Sequence, residues 1–136
     1  MLQYRYELYL RGGISRRIAN MLNILMDWYY HCQIPCPLNL KGVFLCHNGF
    51  GIVINSKAVI GEGTYIQHGV TIGARDDIRN PNAPRIGQNC YIGAKATVIG
   101  DITIGDNVKI GANAVVCKDI PSNCTVVGVP ARIIKK

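Results

Sequence analysis

The sequence predicts a mainly β chain, short strands wound into a stacked prism and preceded by a short helical region. Three observations carry that prediction. A branched residue returns every six positions: Ile54, Ile60, Ile66 and Ile72, then Ile86, Ile92, Val98, Ile104, Ile110 and Val116 after one interruption. Glycine follows many of them, as Gly61, Gly73, Gly87, Gly93, Gly105 and Gly111. Two positions before each stands a small or compact residue: Ile52, Ala58, Thr64, Val70, Pro84, Cys90, Ala96, Ile102, Val108 and Ala114.

A period of six does not fit a helix surface, which repeats every 3.6 residues, and it is too regular for a hairpin meander. A short strand plus a corner accounts for it. β-Branched residues favour the strand, and glycine is expected to accept the backbone a corner demands. Strand side chains alternate, so each branched residue and its compact partner point to one face, the inside of the prism. Each further turn of chain adds one strand spacing of about 4.8 Å.

The elements follow in chain order. Residues 1–36 are expected to form a helical cap and residues 37–136 the repeat domain. In the cap, Ile14, Ile18, Met21, Leu22, Leu25, Trp28 and Cys32 recur at three and four, the pattern of an amphipathic helix. Gly12 and Gly13 separate it from an earlier helical stretch, and Pro35 and Pro37 end it. The step from Ile72 to Ile86 carries eight residues too many. They form a protruding loop at 74–84, polar and rich in turn formers, and a loop on an otherwise regular wall points to function.

Composition narrows the class. Hydrophobic residues make up 49% of the chain and charged residues 17%, so it buries a core. The formal charge of +7 suits a partner carrying phosphates or carboxylates, or an acidic membrane face. Two Phe, one Trp and no nucleic-acid-binding signature argue against nucleic acid. "MLQYRYELYLRGG" carries charges among its apolar residues, and no run reaches the ~20 apolar residues of a membrane helix, so the expected location is cytoplasmic. There the six cysteines are expected to be free thiols.

Residues 38 to 134 resemble the hexapeptide-repeat acyltransferases. Besides the hexads, the resemblance rests on "LCHNGFGIVIN", "QHGVTIGA", the loop ending in "APRIG", "YIGAKATVIG", "KIGANAVV" and "VVGVPARIIKK". Order and spacing are similar to serine acetyltransferases and to the O-acetyltransferases of surface polysaccharide synthesis. The resemblance implies a three-sided, left-handed parallel β-helix, an exception to the usual right-handed crossover. It also implies acetyl-CoA as acyl donor, a homotrimer, and active sites between subunits.

Acetyl transfer from a thioester to a hydroxyl needs a base, donors for the oxyanion and alignment of two substrates, but no metal. Imidazole is a natural base near neutral pH. By resemblance His47, just ahead of the "GIVI" strand, is that catalytic base. His68, two positions after Ile66, reads as structural or interfacial, and His31 as a helix C-terminal residue. For acetyl-CoA, "IGAKA" and "IGANA" offer Gly93, Ala94, Gly111 and Ala112 at coil corners. Pro130 and Ala131 of "GVPA" would lie near the adenine, with Arg132, Lys135 and Lys136 near the phosphates. The loop from Arg75 to Ala83 is expected to cover the site, its Arg75 and Arg79 suiting an anionic acceptor.

Two departures bear on the acceptor. Serine acetyltransferases carry a second histidine just before the proline that follows the loop, where this chain has Ala83. They also orient the base with an aspartate shortly upstream. An ungapped match puts Cys32 there, and no Asp or Glu occurs between residues 28 and 61. An orienting carboxylate would then come from Asp27, Asp76, Asp77 or another subunit. With some 36 residues before the prism and no long C-terminal tail, the sequence places a sugar or glycan hydroxyl ahead of serine as the acceptor. The amphipathic, basic N-terminal region also suits proximity to a membrane face. A zinc site built from His31, Cys32, Cys36, Cys46 and His47 is disfavoured by the adjacent Cys46–His47 pair. A non-catalytic trimeric assembly module is the reading of a different class.

Overall fold

The computed structural model describes residues 13–35, 38–75 and 82–135. The helix α1 spans Gly13–Tyr30, and short strands follow. The first turn of the prism holds β1 (Phe44–Leu45), β2 (Val53–Ile54) and β3 (Val59–Ile60), and the second holds β4 (Tyr65–Ile66), β5 (Thr71–Gly73) and β6 (Arg85–Ile86). The third holds β7 (Tyr91–Ile92), β8 (Thr97–Ile99) and β9 (Thr103–Ile104), the fourth β10 (Lys109–Ile110) and β11 (Val115–Val116). Then β12 (Thr125–Val127) opens a fifth turn and β13 (Arg132–Lys135) folds back on it.

Every third strand pairs, which makes three walls. One sheet runs β1-β4-β7-β10-β12-β13, a second β11-β8-β5-β2, and a third β3-β6-β9. All the pairs are parallel except β12 with β13. The fold is a parallel β-helix of six-residue units. Every predicted inward residue is buried, from Ile52 and Ile54 in the first turn to Ala114 and Val116 in the fourth. Thr64 is the buried polar residue among them. Its hydroxyl donates to the Gly87 carbonyl (3.1 Å) and accepts from the Cys90 N–H (3.3 Å), so this hydroxyl enters the core paired.

The glycines have a different reason from the expected one. Gly61, Gly87, Gly93, Gly105 and Gly111 do not occupy the left-handed region. They stand where the next turn comes too close for a side chain: a Cβ on Gly93 would lie 2.6 Å from the Ala112 nitrogen, and one on Gly111 would lie 2.8 Å from Val127 Cγ1. The left-handed corner residues come two positions later. Along one edge they are Gly63, Asn89, Asn107 and Asn123, with φ between +53° and +74°. Asparagine is among the few side-chain-bearing residues that enter this region readily.

The helix also departs from expectation. It ends at Tyr30, and His31 takes a left-handed φ of +48°, a common helix-stop conformation that precedes the prolines. Cys32 therefore lies beyond the helix and is buried in the core. The packed face is that of Ala19 and Met26, not the predicted stripe. Ile18, Met21, Leu25 and Trp28 are exposed, Trp28 to 78%. Periodicity shows that a helix has an apolar stripe, but it is flexible Met26 that joins the buried core of the prism. Residues 30–34 tie the helix to the first turn: the Gly51 N–H donates to the Tyr30 carbonyl (3.0 Å), and Gln33 bridges to Val53.

Candidate active site

The edge between the first and second walls collects the predicted base and the predicted corner residues Gly93, Ala94, Gly111 and Ala112. His47 sits there in a 3-10 turn, Cys46–Gly49, with φ +51° and an exposed side chain. His68 occupies the same edge one turn on. The imidazoles meet edge to face, with ring centroids 5.0 Å apart and planes at 87°. His68 is pinned through its backbone: its carbonyl accepts the Lys95 N–H (2.9 Å), and the next N–H, of Gly69, donates to the Phe50 carbonyl (2.9 Å). Its Nδ1 is sealed from solvent and has no hydrogen-bond partner. Among the described residues no carboxylate or hydroxyl bonds to His47.

Ala94 and Ala112 continue this edge, two residues after Ile92 and Ile110 as His68 is two after Ile66. Gly93 and Gly111 are spent on the wall, their N–H groups donating to the Ile110 and Val126 carbonyls (both 2.8 Å). Among the described residues, the Ala94 and Ala112 N–H groups and the Ala112 carbonyl enter no ladder hydrogen bond. Those are the groups left for a ligand. Farther along the prism, Pro130, Ala131 and Arg132 line a cleft of about 190 Å³ with Lys118, and the Ala131 N–H donates to the Val115 carbonyl (2.8 Å). Lys135 lies apart from this cleft, exposed on β13 opposite Thr125. Lys136 and Arg79 fall outside the described residues.

Other expected residues are not brought together. Arg75 is exposed at the root of the loop, which leaves from the edge between the second and third walls, away from His47. The far root is held by Asp101, which accepts from the Asn82 amide (2.9 Å) and pairs with Arg85 (3.6 Å). Asp27 lines a different cleft, of about 430 Å³, between α1 and the first turn, with Asn23, Gln33 and Asn55. His47 does not border it, and among the described residues no hydrogen bond or ion pair joins Asp27 to His47; Asp76 and Asp77 fall outside the described residues. Cys32 and Ala83 are both buried. Among the described residues no three His, Cys, Asp or Glu side chains converge on a point where a metal would bind. The described cysteines, 32, 46, 90, 117 and 124, are free thiols.

Known proteins give this arrangement its relatives. The model of the bacterial transferase hexapeptide (six repeats) matches residues 83–118. WcaB of Escherichia coli, named a putative colanic acid biosynthesis acetyltransferase, is 37% identical over 113 residues, covering 83% of this chain and 69% of its own length. The chain belongs to the hexapeptide-repeat acetyltransferases, in the group of serine acetyltransferases and WcaB. The serine acetyltransferase of Synechococcus elongatus is 45% identical over 121 residues, 89% of this chain and 48% of the relative. A serine acetyltransferase from Brucella abortus, solved in complex with coenzyme A, superposes with a TM-score of 0.81 at 31% identity, over 99% of this chain and 53% of that one. The chain thus spans about half the length of these two serine acetyltransferases. Most relatives of this hexapeptide-repeat chain carry the serine name, which reverses the order of acceptors the sequence suggested.

Proposed function

We propose that the protein is an acetyl-CoA-dependent O-acetyltransferase, with serine as the acceptor to test first. The observation that carries this reading is the single edge that holds His47 and the open backbone groups of Ala94 and Ala112. From the first turn to the fifth is four strand spacings, about 19 Å, room for an elongated thioester donor. The relatives' names and the coenzyme A complex support the same donor. The coil is taken as left-handed, in keeping with that family.

His47 would accept the proton as the acceptor oxygen attacks the acetyl carbonyl. Collapse of the tetrahedral intermediate breaks the C–S bond, and the imidazolium returns its proton to the departing thiolate. Ester and free CoA are the products, and no covalent enzyme intermediate is needed. Because the loop leaves from a different edge, it would serve His47 of a neighbouring subunit, which supports sites shared between the subunits of a homotrimer. Lys118 and Arg132, which both line the cleft, would suit the phosphates.

A second reading keeps a sugar hydroxyl as acceptor. Ala83 stands where serine acetyltransferases carry their second histidine, and WcaB is covered over more of its length than the Synechococcus enzyme. Release of free CoA from acetyl-CoA, measured with serine and with a panel of nucleotide sugars, decides between them. Serine-dependent release supports the first reading. Release with a sugar alone moves the protein to the second, and acetyl-CoA that stays intact with every acceptor contradicts both.

A further inference from the structure

Among the described residues no carboxylate bonds to His47, yet it is not without a neighbour. Its recorded ring contact is His68, at 5.0 Å between centroids and 87° between planes. In that geometry the electropositive edge of one ring meets the electron-rich face of the other, a preferred arrangement for π systems. The two rings differ in freedom. His47 is exposed and rides on a short 3-10 turn, whereas His68 is half-buried and locked into the wall on both sides by 2.9 Å ladder bonds. The fixed ring can orient the free one.

His68 is also costly where it stands. A buried polar atom without a partner costs roughly 1–3 kcal/mol, and its Nδ1 is such an atom. The equivalent positions in the next two turns hold Ala94 and Ala112, so the corner itself does not require an imidazole. Packing alone therefore does not explain the residue.

We infer that His68 is a positioning residue for His47: its wall-anchored ring holds the His47 imidazole edge to face, in the place of an orienting carboxylate. This rests on the reading of His47 as the base, and the task belongs to the ring rather than to Nδ1. A phenyl ring in its place keeps the contact and also removes the orphaned nitrogen.

The test compares wild type, His68→Ala and His68→Phe in acetyl-CoA-dependent CoA release, with the His47 ring proton resonances followed by NMR in the same assembled proteins. The expected kcat of His68→Ala is ~10–100-fold lower, with KM for acetyl-CoA within about twofold, and His68→Phe recovers most of the loss. In the NMR spectra His47 shifts in the Ala variant and returns toward wild type in the Phe variant. An unchanged kcat in His68→Ala, a loss confined to KM, or a Phe variant as poor as Ala overturns the inference. Should wild type release no CoA with any acceptor, the functional reading fails by itself. The NMR comparison then still judges the ring contact, and His47 resonances indifferent to all substitutions at 68 sink it. A His68→Ala chain that does not fold leaves the decision to the Phe variant, whose kcat must stay within about fivefold of wild type.

Discussion

Cys90 shows how the interior treats a single titratable group. Its thiol lies in the core column between Thr64 and Val108, with Sγ donating to the Gly105 carbonyl at 3.2 Å. Burial pushes its pKa above the ordinary 9.0, and the Asp106 charge adds to the rise; hydrogen bonds with the Val108 and Asn107 backbone and with Thr64 oppose it. The folded thiol therefore holds its proton more tightly than the unfolded chain does. Its stabilising contribution is complete below pH ~9 and is lost as the pH climbs through the higher folded value. Thermal melts should show a shallower alkaline decline for Cys90→Ala than for wild type. A maleimide should label exposed Cys117 quickly and Cys90 only on unfolding. Equal labelling rates in the native protein would mean that this column is not closed.

At the scale of the turn, two glycine substitutions separate the reasons for the repeat. Gly93→Ala places a methyl 2.6 Å from the Ala112 nitrogen, whereas Gly73→Ala meets Ile99 Cγ2 at an ordinary 3.7 Å. Neither has a left-handed φ, so backbone freedom predicts similar costs and close stacking predicts different ones. Urea unfolding should find Gly93→Ala destabilised by about 1–3 kcal/mol and Gly73→Ala within ~0.5. The hexad was legible because six residues must span one strand and one corner, and the inward positions Ile92 and Ala96 had nowhere else to go. The purpose of Gly93 was not legible, since contact between turns depends on strand spacing and leaves no mark in the local sequence. The packed face of α1 was misread for a related reason: Met21 and Trp28 announce an apolar stripe but not what it meets. The likeness of His68 to Ala94 and Ala112 was available, each two residues after an inward isoleucine. Its meeting with His47 was hidden by the irregular "HNGFG" turn, which breaks the six-residue phase.

For the whole molecule, the chain separates what a complete site requires. His47 lies on one edge of the prism and the root of the loop on another, so the account expects an assembly about three times the 14.9 kDa chain mass. Light scattering coupled to gel filtration reads this directly, and an active monomer would contradict shared sites. The central claim is chemical: the His47 edge is where an acetyl group changes hands. The measurement that tests it most directly is CoA release by wild type and His47→Ala with the best acceptor, beside calorimetric titration of CoA into both. The expected rate is at least ~100-fold lower in the variant, with CoA affinity unchanged. Equal rates in a correctly assembled variant would contradict it and remove His47 from the reaction.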